Sequence, residues 1–187
     1  MALRLVLSLL LALLSGCVAV QRVDDTRLPA DWSAAIASVD RFRDFGGVYP
    51  DRGEGFGERG VVGRFRLVDV FFGGRFRPNE RVDEVELRLV GGDRLLVKAR
   101  RGGAVVAEGE FPAVVDRAAG WTTVRPIPVA DTEKFGAVAS TREARLGLTA
   151  DATLYVWTRL TGAGVVLFLP AAGERSDWAR WRRPAAG

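Results

Sequence analysis

The chain has 187 residues, a formal net charge of +4 and no histidine, and its single cysteine is Cys17. The length suits one domain of ordinary size, and a single cysteine excludes an intramolecular disulfide. Without histidine, Ser-His-Asp and Cys-His catalysis are excluded and the commonest zinc ligand is missing. Any enzyme would need carboxylates, a lysine or a tyrosine for proton transfer, and we expect no enzyme, no metal and no cofactor. Charges of both signs are mixed along the chain, which does not predict a basic patch for nucleic acid.

The first residues carry the pattern of a secretory signal. Arg4 provides a positive start, and an almost wholly apolar run follows from Leu5 to Leu14. This run is shorter than the roughly 20 residues that a membrane-spanning helix needs. The small residues Ser15 and Gly16 come next, as is typical of a cleavage site. The pattern therefore predicts an exported protein.

Leu14-Ser15-Gly16-Cys17 resembles the lipobox of bacterial lipoproteins. The resemblance implies that the chain is cut before Cys17, that a lipid is attached to the thiol, and that the new N-terminus receives an acyl chain such as palmitate. More than one acyl chain gives stable anchoring, at about 0.8 kcal/mol per buried methylene. Val18 stands where an aspartate would imply retention in the inner membrane, so the resemblance implies the outer membrane, facing the periplasm. The alternative is an ordinary signal peptide that is cut near Ala19.

We predict three regions: a signal peptide over 1–16, a tether over 17–30 and a single β-rich domain over 31–183. The domain opens with apolar residues at helical spacing, which predicts a short helix with Asp31 as its N-cap and Gly46-Gly47 at its end.

A short strand should follow this helix, and the stretch 51–60, rich in Gly, Glu and Arg, predicts a surface loop. The acidic residues Asp51, Glu54 and Glu58 of this loop lack the spacing of an EF-hand, so we expect no calcium site. The segment 61–72 then reads as one long strand.

The middle of the chain predicts a meander of three strands, at 83–90, 94–101 and 105–111. Each strand alternates one apolar with one largely charged face, which is typical of an antiparallel sheet that is wet on one side. We predict three-residue loops at Gly91-Gly92 and Gly102-Gly103, because two-residue turns would place apolar residues opposite charged ones. Leu87 then lies opposite Val97, and Val97 lies opposite Gly109.

The last third of the chain predicts further strands at 121–124, within 136–149, at 152–160 and at 165–169. The segment 161–164 should be the turn of the final hairpin. For 177–183 we predict a helical turn whose tryptophans cover the end of the core; a membrane-interfacial segment is the alternative.

The predicted fold is mainly β: an antiparallel up-and-down meander that closes into a small barrel or curled sheet, with one short N-terminal helix. It resembles lipocalins over Phe42–Tyr49, where a short helix runs into a strand and Gly47-Val48-Tyr49 stands in place of the lipocalin Gly-x-Trp. The resemblance implies a barrel that binds a small apolar ligand. The candidate lining residues are Trp121, Tyr155, Trp157 and Phe168, for which plain core packing is the competing interpretation.

Three functions are compatible with the sequence. The first is a non-enzymatic β module, anchored to the membrane through lipid on Cys17, that acts in envelope structure, assembly or the binding of an envelope protein. The second is the apolar-ligand barrel, which a core filled by its own side chains would exclude. The third is a hydrolase using carboxylates such as Glu54 or Asp69, which needs two carboxyl groups about 5–10 Å apart.

Overall fold

The structure, a computed structural model, describes residues 28–56, 62–73, 75–76, 80–131, 136–166 and 169–183. Within these ranges the helices are α1 (Ala30–Ala37) and α2 (Leu67–Phe72). The strands are β1 (Gly47–Pro50), β2 (Arg52–Phe56), β3 (Val62–Arg66), β4 (Glu84–Val90), β5 (Arg94–Arg101), β6 (Ala104–Asp116), β7 (Trp121–Asp131), β8 (Gly136–Leu148), β9 (Thr153–Val166) and β10 (Leu169–Arg182).

The strands form one antiparallel sheet in the order β1-β4-β5-β6-β7-β8-β9-β10-β2-β3. From β4 to β10 each strand pairs with the next, which confirms the predicted up-and-down meander. Only Asp51 separates β1 from β2, yet β1 pairs with β4 and β2 pairs with β10. The sheet is therefore a curled half-barrel whose two ends meet at Asp51, with β3 as the last strand beyond β2.

The concave face of the sheet holds the main core, and α2 lies within it. Every second residue of the strands points into this core, as Leu154 and Val156 of β9 do. Four of the six residues of α2 are almost fully buried there: Leu67, Val68, Val70 and Phe71. The helix therefore fills the inside of the half-barrel.

The predicted register of the meander is confirmed, but one of its two loops is not. Leu87 lies opposite Val97, and Val97 lies opposite Gly109. The loop at Gly91-Gly92 has three residues, as predicted, whereas the loop at Gly102-Gly103 has two, so that prediction is wrong.

A bulge explains how the predicted register survives the shorter loop. The pairing of β5 with β6 shifts between Ala99 and Arg100, which leaves one extra residue, Val106, on β6. Both loop glycines have positive φ, which a two-residue turn of the I′ type requires. Because of the bulge, Val105 is exposed with Val106 instead of pointing into the core as its alternation predicted.

Two predictions for the first part of the domain are wrong. The stretch 51–60 is not simply a loop, because its described part contains a buried Asp51 and the strand β2. The segment 61–72 is not one strand, because its described part is β3 followed by α2. The described residues thus contain two helices where one was predicted.

Helix α1 packs on the sheet as predicted, with Trp32 buried, but its ends differ from the prediction. Pro29 rather than Asp31 is the N-cap, and the helix ends at Ser38, whose hydroxyl donates to the Ala35 carbonyl at 2.6 Å. Asp31 lies in the first turn, where a negative charge is also favourable.

The last described segment of the chain is a strand rather than the predicted helical turn. β9 runs unbroken through 161–164, because these residues pair with β8 on one side and with β10 on the other. The predicted turn there is wrong. The segment 177–182 belongs to β10, in which Trp181 points into the main core and Trp178 packs on the opposite face.

Gly53 offers a test of how β2 packs on β10. A Cβ at position 53 would lie 2.5 Å from the Arg180 carbonyl oxygen and 2.5 Å from the Trp181 indole nitrogen, whereas a Cβ at Gly63 meets nothing within 4 Å. We expect Gly53→Ala to lower the free energy of unfolding by about 2 kcal/mol through overpacking, and Gly63→Ala to leave it within about 0.5 kcal/mol. Urea unfolding of both variants measures this, and equal effects would contradict the packing.

Candidate binding surface

Asp51 joins the two ends of the sheet through its backbone. Its N–H donates to the Asp83 carbonyl at 2.9 Å, on the side of β4. Its carbonyl accepts from the Leu67 N–H at 2.7 Å and from the Trp181 indole N–H at 3.4 Å. One residue therefore bonds to the β4 side of the sheet, to α2 and to β10.

The Asp51 carboxylate is buried and has a partner on each oxygen. The Arg66 Nε donates to one oxygen at 2.8 Å, and the Val68 N–H donates to the other at 2.9 Å. Helix α2 has no side-chain cap of its own, so Asp51 satisfies the N–H groups of its first two residues. This arrangement supports the fold; in it the charge of Asp51 is already neutralised by Arg66.

An arginine groove lies on the outer face beside this junction, across β3, β2 and β10. The groove has a volume of about 350 Å³. Its lining residues are Pro50, Arg52, Gly53, Glu54, Arg64, Arg180, Trp181 and Arg182. Four arginines thus share the groove with one acidic residue, which makes the groove strongly positive.

Arg180 connects the arginine groove to α1. It forms ion pairs with Glu54 at 2.7 Å and with Asp31 at 3.0 Å, and it lies over the Trp32 ring at 4.6 Å. Partial burial by itself lowers the pKa of this guanidinium, but hydrogen bonds to Tyr155, Glu54 and Asp31 outweigh burial and raise it. Arg180 therefore stays charged, and its contacts with Asp31 and Trp32 hold α1 beside the groove.

Arg52, Arg64 and Arg182 differ from Arg180, because they are exposed and form no ion pair with another described residue. Their charges are open to solvent and to a ligand. The mixed charges along the sequence did not predict this patch, since its arginines come from three separate segments. Arginine at alternate strand positions, as in the pair 180 and 182, is the signal that could have indicated one face.

Two other grooves are better balanced in charge. One, of about 560 Å³, shares Pro50 and Arg52 with the arginine groove, but it contains Asp51, Glu80 and Asp83 as well as arginines. The other, of about 470 Å³, lies across β7, β8 and β9.

The arginines of that third groove are all engaged. Arg125 pairs with Glu143, Arg159 pairs with Glu174, and Arg142 donates to backbone carbonyls of α2. Neither of these two grooves has as many exposed arginines without an ion pair as the arginine groove has.

Three of the four predicted ligand-lining residues are described, and they lie on the outer face of the sheet rather than on its concave face: Trp121, Tyr155 and Trp157. Tyr155 is buried with Trp32 and Phe56 in a second cluster, and Trp121 packs against that cluster. Trp157 shares the outer face with Tyr155, where Arg145 lies 5.0 Å above its ring. Alternation along β9 directs these side chains away from the main core. A ligand on the concave face would therefore not contact them.

Two predicted site residues, Cys17 and Phe168, lie outside the described residues, as does Glu58 of the rejected calcium loop. The other acidic candidates are placed. Glu54 is exposed and pairs with Arg180. Asp69 lies in the first turn of α2, 3.9 Å from Arg66, and burial raises its pKa. Glu54 and Asp69 thus each form an ion pair with a different arginine. Among the described residues there is no group of three or more acidic, cysteine or histidine side chains that could hold a metal ion.

No protein family, curated protein or solved structure matches this chain. Among the residues that the structure describes, neither helix is long and apolar enough to cross a membrane.

Asp51 and Asp69 both lie near Arg66 and allow a matched comparison. We expect Asp51→Asn to lower the free energy of unfolding by about 3 kcal/mol, because it leaves the largely buried Arg66 without its main counter-charge. Asp69→Asn should change it by less than about 1 kcal/mol, since Asp69 is partly exposed and its ion pair is long. Urea unfolding at neutral pH measures both free energies of unfolding. An equal decrease in the two variants would contradict the larger contribution of the Asp51–Arg66 ion pair.

Proposed function

We propose that this protein is a non-enzymatic β module of the bacterial envelope, anchored to the outer membrane through lipid on Cys17 and facing the periplasm. Its role would be to hold or position a partner, such as an envelope protein, at the membrane surface. The lipobox-like sequence Leu14-Ser15-Gly16-Cys17 supports the anchor. The filled concave face of the sheet supports a role that is carried out on the outside of the domain.

The filled interior is the observation that favours a surface role over a ligand barrel. Helix α2 occupies the space where a barrel would hold an apolar ligand, with Phe71 and its neighbours buried in the main core. Arg142 of β8 fixes the helix in place by donating to the carbonyl of Asp69 and to that of Val70 at 3.0 Å. An interior filled by its own side chains and by α2 would have to lose the helix before it could accept a ligand.

The surface of the domain offers grooves and charges instead. The three grooves described above all open to solvent and are lined largely by arginine and acidic side chains. Such surfaces suit polar or charged partners rather than apolar molecules. We therefore favour the binding of a partner on the outside over the lipocalin-like alternative.

Intact mass measurement tests the proposed anchor. Protein purified from membranes should have the mass of a chain that begins at Cys17 and carries acyl groups of tri-acyl size. Cys17→Ser should abolish this mass increase, because the serine lacks the thiol that takes the lipid.

Ser15→Ala is the matched control, since it keeps the cysteine and a small residue before the cleavage point; this variant should keep the lipid. An unmodified wild-type chain that begins near Ala19 would contradict the proposed anchor. The protein would then be a secreted domain without lipid.

A further inference from the structure

The arginine groove carries positive charge that the fold does not use. Arg52, Arg64 and Arg182 line it from three strands, are exposed and form no ion pair with another described residue. Guanidinium groups bind phosphate through paired hydrogen bonds and stay charged at any physiological pH. The groove therefore suits a ligand that presents several phosphate groups on a surface.

Protection of an exposed sheet edge is the competing explanation, and it covers only part of the pattern. β3 is the last strand of the sheet, and charged residues on such a strand discourage pairing with other chains. Arg64 lies on that strand, but Arg52 is on β2 and Arg182 is on β10, which are both inside the sheet. Edge protection does not require arginine at these two positions.

The groove also lies close to the point where the chain enters the domain. Asp31, in the first turn of α1, is bound to Arg180 of the groove, and Leu28 packs against the second cluster. Only eleven residues lead from Cys17 to Leu28. Even fully extended, they span at most about 40 Å. A lipid on Cys17 would thus keep the groove close to the membrane surface.

We propose that the arginine groove lies against the anionic phospholipid headgroups of the membrane that holds the lipid on Cys17. This inference rests on the proposed function, which supplies the anchor. The contact would hold the domain in one orientation on the membrane and leave the outer surface away from the groove free for a partner. Charge complementarity selects phosphate-bearing lipid, because the described lining of the groove has four arginines and one glutamate.

Vesicle flotation tests this contact without the lipid. The full chain with Cys17→Ser is mixed with vesicles of phosphatidylcholine alone or of phosphatidylcholine with phosphatidylglycerol. The neutral vesicles report any binding through the apolar segment 5–14. Stronger flotation with the anionic vesicles, lost at high salt, is the result expected from the arginine groove.

Substitution of the three unpaired arginines localises the effect. Arg52→Gln, Arg64→Gln and Arg182→Gln together should weaken binding to the anionic vesicles on the order of 100-fold, since each arginine near such a surface contributes roughly fivefold. The matched control changes three exposed arginines elsewhere on the sheet, Arg88→Gln, Arg94→Gln and Arg125→Gln. This control removes the same net charge and should weaken binding less than about fivefold.

Two results would overturn the inference: equal flotation with both kinds of vesicle, or equal loss of binding in the two triple variants. Failure of this inference is distinguishable from failure of the anchor. Flotation uses a chain that cannot carry the lipid, whereas the mass measurement does not depend on the groove.

Discussion

The two ends of the sheet meet at Asp51, whose backbone N–H bonds to the β4 side and whose buried carboxylate forms an ion pair with Arg66 at the end of β3. Burying both charges costs several kcal/mol, so such a pair persists only where its hydrogen bonds are complete. Both oxygens of Asp51 are bonded here, one to Arg66 and the other to the Val68 N–H. An apolar residue at position 51 would leave the largely buried Arg66 without its main counter-charge and the Val68 N–H without a partner in the core. The ion pair lies where the chain passes from β1, which pairs with β4, to β2, which pairs with β10.

Sequence alternation predicted the part of the fold in which each strand pairs with its neighbour in the chain. In β4, β5 and β6 the charged faces match across strands only in one register, which the structure has. The same pattern could not distinguish a longer loop from a bulge, because both absorb one residue. At Gly102-Gly103 the bulge is found, and it moves Val105 to the surface. Local alternation thus predicts which faces of neighbouring strands pack together more reliably than it predicts the length of the loop between them.

The missed elements depend on contacts between residues far apart in the chain. β2 has the composition of a loop, yet its Gly53 and Gly55 are required because Trp181 and Phe65 pack directly against them. Similarly, α2 has a β-rich composition and no cap of its own, and it becomes a helix with Asp51 as its hydrogen-bond partner. Propensity is a weak guide where tertiary packing decides the backbone conformation. The described aromatic candidates, Trp121, Tyr155 and Trp157, lie on the outer face for a related reason, since alternation in the sequence does not tell which face of a strand is concave.

The arginine groove shows why the charge of this protein had to be judged in three dimensions. Arg52, Arg64 and Arg182 come from separate segments of the chain with acidic residues between them, so the sequence alone does not bring them together. Antiparallel pairing brings their three positive charges into one groove. A flexible tether alone would leave a domain free to rotate at the membrane. A cationic groove beside the end of that tether removes this freedom in the proposed arrangement, because attraction to phosphate acts only within about 10 Å of the surface at 0.1 M salt.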